Sequence, residues 1–456
     1  LMEYSFRLRQ LAQGGFLEPW MESRFSLVCA LTVAAVAVCL TAAPASAQQP
    51  LRPFAAAENL VQPPESVPAM LALNDLEQMA LANNPSLAQA AARIEAAQGT
   101  WLQVGLKPNP IFGYSGQQIG DEGAAGQHGL YLQQEFVTAG KLDLNRNAAE
   151  QAVRREEMLY TAQQQRVLTD VRRNYYEALV AQRSVDVTSR LVEVSAKGVE
   201  TADSLLKAGD VPRLDLLQAR VQANSARILN VNARAQLDEA WRKLESVLGA
   251  HHLPMARLAG DPEAELPALE WDLALSRLYD ESPEISAAYA DLERARWQLE
   301  REIAGARQNF DIQAMGGAND ATGDAFASLQ FAMPIPVRNA NQGAIARAQA
   351  DLAAAEYNVD RLHLALRNRL AGAFRRYDAA RRQYDLYHDQ IVPDTQASLD
   401  IVRSGYPLEF NYLNLVTAQT EYFQAELGRL DSLRNLRGEA ALIDGLLLDN
   451  SLDQAQ

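Results

Sequence analysis

IARAQADLAAAEYNVDRLHLAL, residues 345–366, decides the fold. Ile345, Ala348, Leu352, Ala355, Val359, Leu362 and Leu366 are spaced by alternating steps of three and four. That is a repeat of about 3.5 residues, the seam of a left-handed coiled coil. Farther upstream, Leu142 to Ala196 contains no Gly or Pro, and those 55 residues span about 80 Å as a helix. There Val187, Leu191, Val194, Thr201 and Leu205 keep a similar spacing and are the expected seam. Ala is frequent in both seams, which lets helices approach closely. Helices of this length do not fit inside an ordinary globular domain and predict a long, thin object.

The plan is written twice. Pro85 matches Pro283 at an offset of 198, while Tyr175 with Phe374, and Leu217-Gln218-Ala219 with Val416-Thr417-Ala418, match at 199. Each copy reads as a short helix, two strands, a very long helix, a turn and a second long helix. The first copy covers residues 73–249 and the second 268–448, joined by a linker at 250–267 with Pro254, Pro262 and Pro267. A Pro-rich leader occupies 48–72 and a tail 449–456. A period this long is a duplication and not a solenoid, whose repeats run about 20–50 residues.

Phe310, Ile312 and Ala314 alternate with polar neighbours, as do Ala327, Leu329, Phe331 and Met333. Gly316 to Asp324 reads as the turn between them. The first copy offers Ile111 to Ile119 and His128 to Phe136, around the Gly-rich stretch from Gly120 to Gln127. Such alternation fits a strand with one face in lipid and one in water. It also fits a hairpin with one face on a soluble core. If the strands lie in a membrane, four of them cannot close a barrel, because open edges in lipid leave backbone groups unpaired. Copies of the chain must then combine, and three would give twelve strands.

Met21-Glu22-Ser23-Arg24 precedes an apolar run from Phe25 to Ala43 and then Ala45-Ser46-Ala47. This pattern predicts a signal peptide at 21–47, cleaved after Ala47, with residues 1–20 an upstream, non-native start. A membrane anchor is the competing reading of the 19-residue run. The two cysteines, Cys29 and Cys39, both lie in this segment, so the remainder has no disulfide, thiol nucleophile or thiolate metal site. Val38 before Cys39 argues against lipid attachment there. The net charge of −15 disfavours nucleic-acid partners, whose phosphates call for Lys and Arg.

Taken in order, these features resemble the TolC-like outer-membrane factor family, nearest its CzcC-like heavy-metal efflux members. The local matches are LALNDLEQMALANNPSLAQA (71–90) and LYLQQEFVTAGKLDLNRNAAEQ (130–151), with LQFAMPIPVRNANQGAIARAQADL (329–352) as its second copy. LLKAGDVPRLDLLQAR (205–220) and VRSGYPLEFNYLNLVTAQTEYF (402–423) match the helix tips. The resemblance implies a fold that is mainly α with a β-barrel contribution. It implies a homotrimer in outer-membrane lipid, extending into the periplasm as a passive efflux duct. Partners would be a periplasmic adaptor (membrane fusion) protein, met at tips around Gly209 and Gly405, and an inner-membrane pump. Family members often carry acidic residues where this chain has Asn414 and Thr417; the first copy has Asp215 and Gln218 there. These four residues are the candidate periplasmic aperture, with Asp215 its one carboxylate. Like charges in a narrow ring would raise one another's pKa and bind cations. Alternatively, Asp215 simply favours the first turn of a helix after Pro212.

No catalytic residue, metal site or cofactor is expected. Five histidines occur, and His251-His252 has no third ligand at metal spacing. No phosphate loop, G-x-S-x-G elbow or H-E-x-x-H is present. The Tyr- and Arg-rich run from Phe374 to Tyr387 reads as solvated flank and interhelix packing. A periplasmic coiled-coil adaptor or structural stalk and a type I secretion exit duct are the other readings, and a periplasmic enzyme has no constellation behind it.

Overall fold

The computed structural model describes residues 70–120, 126–250, 253–320, 322–405 and 412–453. The first copy runs β1 (Met70–Leu71), α1 (Leu73–Asn83), α2 (Pro85–Val104), β2 (Ile111–Gln117), β3 (Gln127–Phe136), α3 (Lys141–Ala208) and α4 (Arg213–Val247). After β4 (Arg257–Leu258), the second runs α5 (Trp271–Glu281), α6 (Pro283–Gly305), β5 (Phe310–Asn319), β6 (Asp324–Ala332), α7 (Gln342–Leu386), α8 (Val392–Gly405) and α9 (Tyr412–Asp444). The chain divides into two compact units. One, Leu102–Asn147 with Trp297–Gln349, holds an antiparallel sheet in the order β2-β3-β5-β6. The other is helical.

The seam read at 345–366 is the buried or half-buried line of α7, and it continues through Leu370, Ala373, Tyr377, Ala380 and Tyr384 in steps of three and four. These later positions pack with Leu430, Leu433 and Leu436 of α9. The first copy has its own core around Leu76, Val167, Val171, Tyr175, Trp241 and Leu244.

Three expectations need correction. In α3, Val194 and Thr201 are exposed, and the buried line is Thr188, Leu191, Ser195 and Ala202. Small residues win because they admit closer approach, and the Thr188 and Ser195 hydroxyls are satisfied by the carbonyls of Ser184 and Leu191 at 2.8 and 2.7 Å. Secondly, the single short helix of each copy is two, broken before Pro85 and Pro283. Each proline opens the second helix, where its missing N–H is harmless; Ser86 N–H donates to Asn84 Oδ1 at 2.9 Å.

Thirdly, Gly316–Asn319 belongs to β5 and not to the turn. A Cβ on Gly317 would lie 2.6 Å from Gly129 Cα, so this glycine marks a close approach of strands. The linker is fastened along its length. Its β4 pairs in parallel with β1, and Trp241 Nε1 donates to Leu253 O at 3.0 Å. The buried Arg437 guanidinium donates to the carbonyls of Pro262 at 2.8 Å, Glu265 at 3.3 Å, and Ala264. The tail is held too: Asp170 accepts from the backbone N–H groups of Asn450 and Ser451 at 3.0 and 2.6 Å.

Between α7 and α8 the helix widens into a π turn at Tyr387–Ile391. Pro393 follows two residues later, and a proline ring clashes with the carbonyl four residues back, here Asp389. The wider turn relieves that clash. The signal segment, the leader before Met70, Cys29, Cys39 and His251-His252 lie outside the described residues.

Candidate functional site

Paired residues in a sheet share a face, so the register sorts every strand side chain. One face carries Phe112, Tyr114, Leu130, Leu132, Phe136, Phe310, Ile312, Ala314, Leu329 and Phe331, with Gln134 and His128 among them. It is mainly apolar, and Phe112 (69 %), Leu329 (77 %) and Phe331 (62 %) stand exposed. The opposite face carries Ser115, Gln127, Gln133, Glu135, Asp311, Gln313, Ser328 and Gln330, interspersed with Ile111, Tyr131, Met315 and Phe326. In a water-soluble sheet the apolar face would be the covered one. Here the polarity is that of strands with lipid outside and water inside.

The apolar face is edged by aromatic groups. At the end nearer α3, Phe136 stacks on Phe310 at 5.1 Å and Phe310 meets Phe331 at 5.4 Å. At the hairpin end Tyr114 stacks on His128 at 6.0 Å. Its hydroxyl meets His128 Nδ1, and His128 Nε2 lies 3.8 Å from Asp320. Ten residues of β3, at about 3.3 Å each and tilted by about 40°, cover about the 25 Å height of an apolar band. Among the described residues no helix is long and apolar enough to cross a membrane.

Where the strands hand over to helices the groups turn polar. Lys141 Nζ donates to Asn309 Oδ1 at 2.7 Å and to Arg307 O, and Thr138 Oγ1 donates to Gln308 O at 2.8 Å. Asn309 Nδ2 in turn donates to Glu135 at 2.7 Å. Burial pushes the Lys141 ammonium below its ordinary range, helped by Arg301 and opposed by Glu135. The junction in the first copy is thus tied to the start of β5 in the second.

In the helical unit the candidate aperture residues fall at two tips. Gly209 closes α3 with φ +84°, its N–H on Leu206 O at 3.1 Å and the Asp210 N–H on Leu205 O at 3.0 Å. This glycine-capped ending turns the chain into α4. Asp215 and Gln218 are half-buried on α4, whereas Asn414 and Thr417 are exposed on α9. Asp215 occupies the first turn of α4, so the helix-dipole explanation applies to it. The two segments meet: Val416 packs with Ala202, Leu216 and Ala219, and Gln222 Nε2 donates to Thr420 Oγ1 at 3.0 Å. Gly405 ends α8, and residues 406–411 lie outside the described set.

Two features were not read from the sequence. One is a groove of about 790 Å³ between α3, α8 and α9, with Arg190, Asp400, Arg403, Glu426 and Arg429 in its wall. Burial raises the Glu426 carboxyl, although Tyr422 and Arg190 lower it. The other is a stripe on α4. Leu214, Leu217, Val221, Asn224, Ile228 and Val231 follow the three-four spacing and all stand exposed. The spacing was visible in the sequence; its exposure was not, because α4 has a second such line, Leu216-Ala219-Ala223-Ala226, that is buried.

The family described as outer membrane efflux protein matches residues 76–250, the first copy of the plan. The cobalt-zinc-cadmium resistance protein CzcC of Cupriavidus metallidurans is 25 % identical over 389 residues, covering 84 % of this chain and 91 % of CzcC. The first copy, residues 76–250, thus carries the likeness to the outer membrane efflux protein family. Solved structures share its fold. A Pseudomonas aeruginosa membrane protein superposes with TM-score 0.71 at 20 % identity, covering 83 % of this chain and 90 % of that one. The outer-membrane channel OprN gives TM-score 0.70 at 18 % identity, covering 84 % and 91 %. By this match and the likeness to CzcC along most of the chain, the protein is an outer-membrane efflux channel subunit with a periplasmic extension.

Replacing Leu329 by Arg puts a charge on the lipid face, a penalty of about 2–4 kcal/mol near the bilayer midplane. Outer-membrane yield of Leu329→Arg should fall steeply, whereas Gln330→Arg on the other face should assemble at near the native level. Quantitative immunoblots of outer-membrane fractions check this, and equal loss for both would contradict the assignment of faces.

Proposed function

We propose that three copies close into one passive duct, a twelve-stranded barrel joined to a helical tunnel, in a tripartite efflux system. The stripe on α4 carries the proposal. At an offset of 199 residues its counterparts on α9 are Leu413, Val416, Thr420, Phe423, Leu427 and Leu430. Within the chain Val416, Phe423 and Leu430 are packed: Val416 against α3 and α4, Phe423 with Leu191 and Ala226, and Leu430 in the core of the second copy. The same line on α4 is bare, with Val221 66 % and Ile228 62 % exposed. A ring satisfies both: copy two packs on copy one inside a chain, and copy one receives copy two of the next chain. Such a head-to-tail contact closes when its rotation divides the circle.

The duct performs no chemistry, and the other members of the system would supply energy and choice of substrate. A periplasmic adaptor would meet the tips around Gly209 and Gly405, with the mixed-charge groove above them as further surface. The likeness to CzcC supports heavy-metal cations as cargo. Asp215, Gln218, Asn414 and Thr417 would line the periplasmic aperture, with three Asp215 carboxylates as its charge.

On unboiled gels of an outer-membrane fraction the protein should migrate as a trimer. Val221→Asp, which places a charge in the stripe, should shift it to monomer; a native-sized band would contradict the ring. In planar bilayers Asp215→Asn should weaken cation preference and relieve block by cobalt or zinc ions. Unchanged selectivity and block would leave Asp215 as a first-turn carboxylate favoured by the helix dipole.

A further inference from the structure

Helix α3 carries two lines at coiled-coil spacing, and the chain packs only one of them. Thr188, Leu191, Ser195 and Ala202 are buried, whereas Val187, Val194 and Thr201, each seven residues from the next, edge the groove between α3, α8 and α9. Four residues before each stands a cation in the same groove: Arg183, Arg190 and Lys197, all exposed. A mostly apolar position flanked by a basic one thus repeats three times along about 27 Å of helix. Across the groove, Gln419, Tyr422, Glu426 and Arg429 of α9 follow the same three-four spacing. Two walls of this period with open space between them are what a third helix packs into.

The carboxylates of the groove already have company. Arg429 holds both Glu263 and Glu426, and Asp261 lies beside it. Asp186 is 3.8 Å from Arg257, and Asp400 accepts from Gln396 at 3.1 Å. The cations are less engaged. Arg190 reaches Glu426 through space, and Lys197 pairs with Glu193, which lies outside the groove. Arg183 and Arg403 form no ion pair with any described residue. Nor does the second copy repeat the row. At the offset of 199, Arg183, Arg190 and Lys197 become Arg382, Asp389 and Gln396, and Val194 becomes Pro393 beside the π turn.

We propose that this groove is a docking track for an amphipathic helix of a partner protein, one with an apolar line and carboxylates every seven residues. It names the contact chemistry of the periplasmic partner and rests on the duct reading above, whose ring covers the α4 stripe and not this α3 line. Because copy two lacks the row, the junctions inside the three chains carry it and the junctions between chains do not. A partner is therefore held on the duct in threefold register. A row that is merely a solvated flank makes the opposite demand, since the net charge of −15 favours basic helices over acidic ones.

The test measures binding of two fluorescent peptides of about four heptads to the purified protein by fluorescence anisotropy. Both peptides carry Leu at the two seam positions; one has Glu at the flanking positions and the other Lys. The Glu peptide should bind on the order of tenfold more tightly. The triple variant Arg183→Glu, Arg190→Glu, Lys197→Glu should reverse that order. A control triple variant at exposed arginines outside the groove, Arg154→Glu, Arg296→Glu, Arg382→Glu, changes the net charge equally and should keep it. The proposal is overturned if neither peptide binds, if the native protein binds both alike or prefers Lys, or if both triple variants shift the order equally. The native preference is decisive even if a triple variant fails to fold. The groove lies within one chain, so the peptides report on it whether or not the ring forms. A protein that runs as a monomer on unboiled gels yet prefers the Glu peptide removes the ring and keeps the track. A trimer without that preference removes the track and keeps the ring.

Discussion

A strand edge in lipid has no water to satisfy its N–H and C=O groups, and each orphan is worth several kcal/mol. Everything else in this chain can be arranged around that constraint. The order β2-β3-β5-β6 leaves β2 and β6 as edges, one contributed by each copy of the plan. No chain with four strands can hide both edges by itself. The apolar face raises the same difficulty in another form, since Leu329 and Phe331 have nothing over them. In the proposed assembly the membrane covers the face, and further copies of the chain cover the edges.

The helices repeat this logic in water. An exposed line of Leu, Val and Ile at coiled-coil spacing leaves a large apolar surface hydrated. Its counterpart on α9 shows the remedy already in use within the chain, Val416 lying on Leu216 and Ala219. In the proposed ring the duplication supplies both halves of one repeating contact, of which a single chain makes only one.

Much of the fold was legible because it rests on period. Alternating steps of three and four located α7, and the period-two pattern of Phe310-Ile312-Ala314 located β5 and its apolar face. What was not legible depended on competition between residues of similar appearance. Val194 and Thr201 look like better seam residues than Ser195 and Ala202, but close helix approach selects the smaller set. Gly316-Gly317 looks like a turn until Gly129 is found opposite. The fastening of the linker by Arg437 left no periodic trace, because one side chain gathers three carbonyls from a segment far away in sequence. For the candidate aperture residues, only their place near two helix tips was legible. Asp215 sits where a helix dipole would put a carboxylate in any case.

The central claim is that one contact serves inside the chain and again between chains. Inside, Val416 meets Leu216; the offset of 199 residues therefore places Leu217 of one copy against Leu415 of the next. The most direct measurement is disulfide trapping of a Leu217→Cys, Leu415→Cys double variant in outer membranes, read on non-reducing gels. The account predicts a ladder that ends at three chains, with neither single variant giving more than a trace. A product confined to one chain, or a ladder that stops at two, would contradict it.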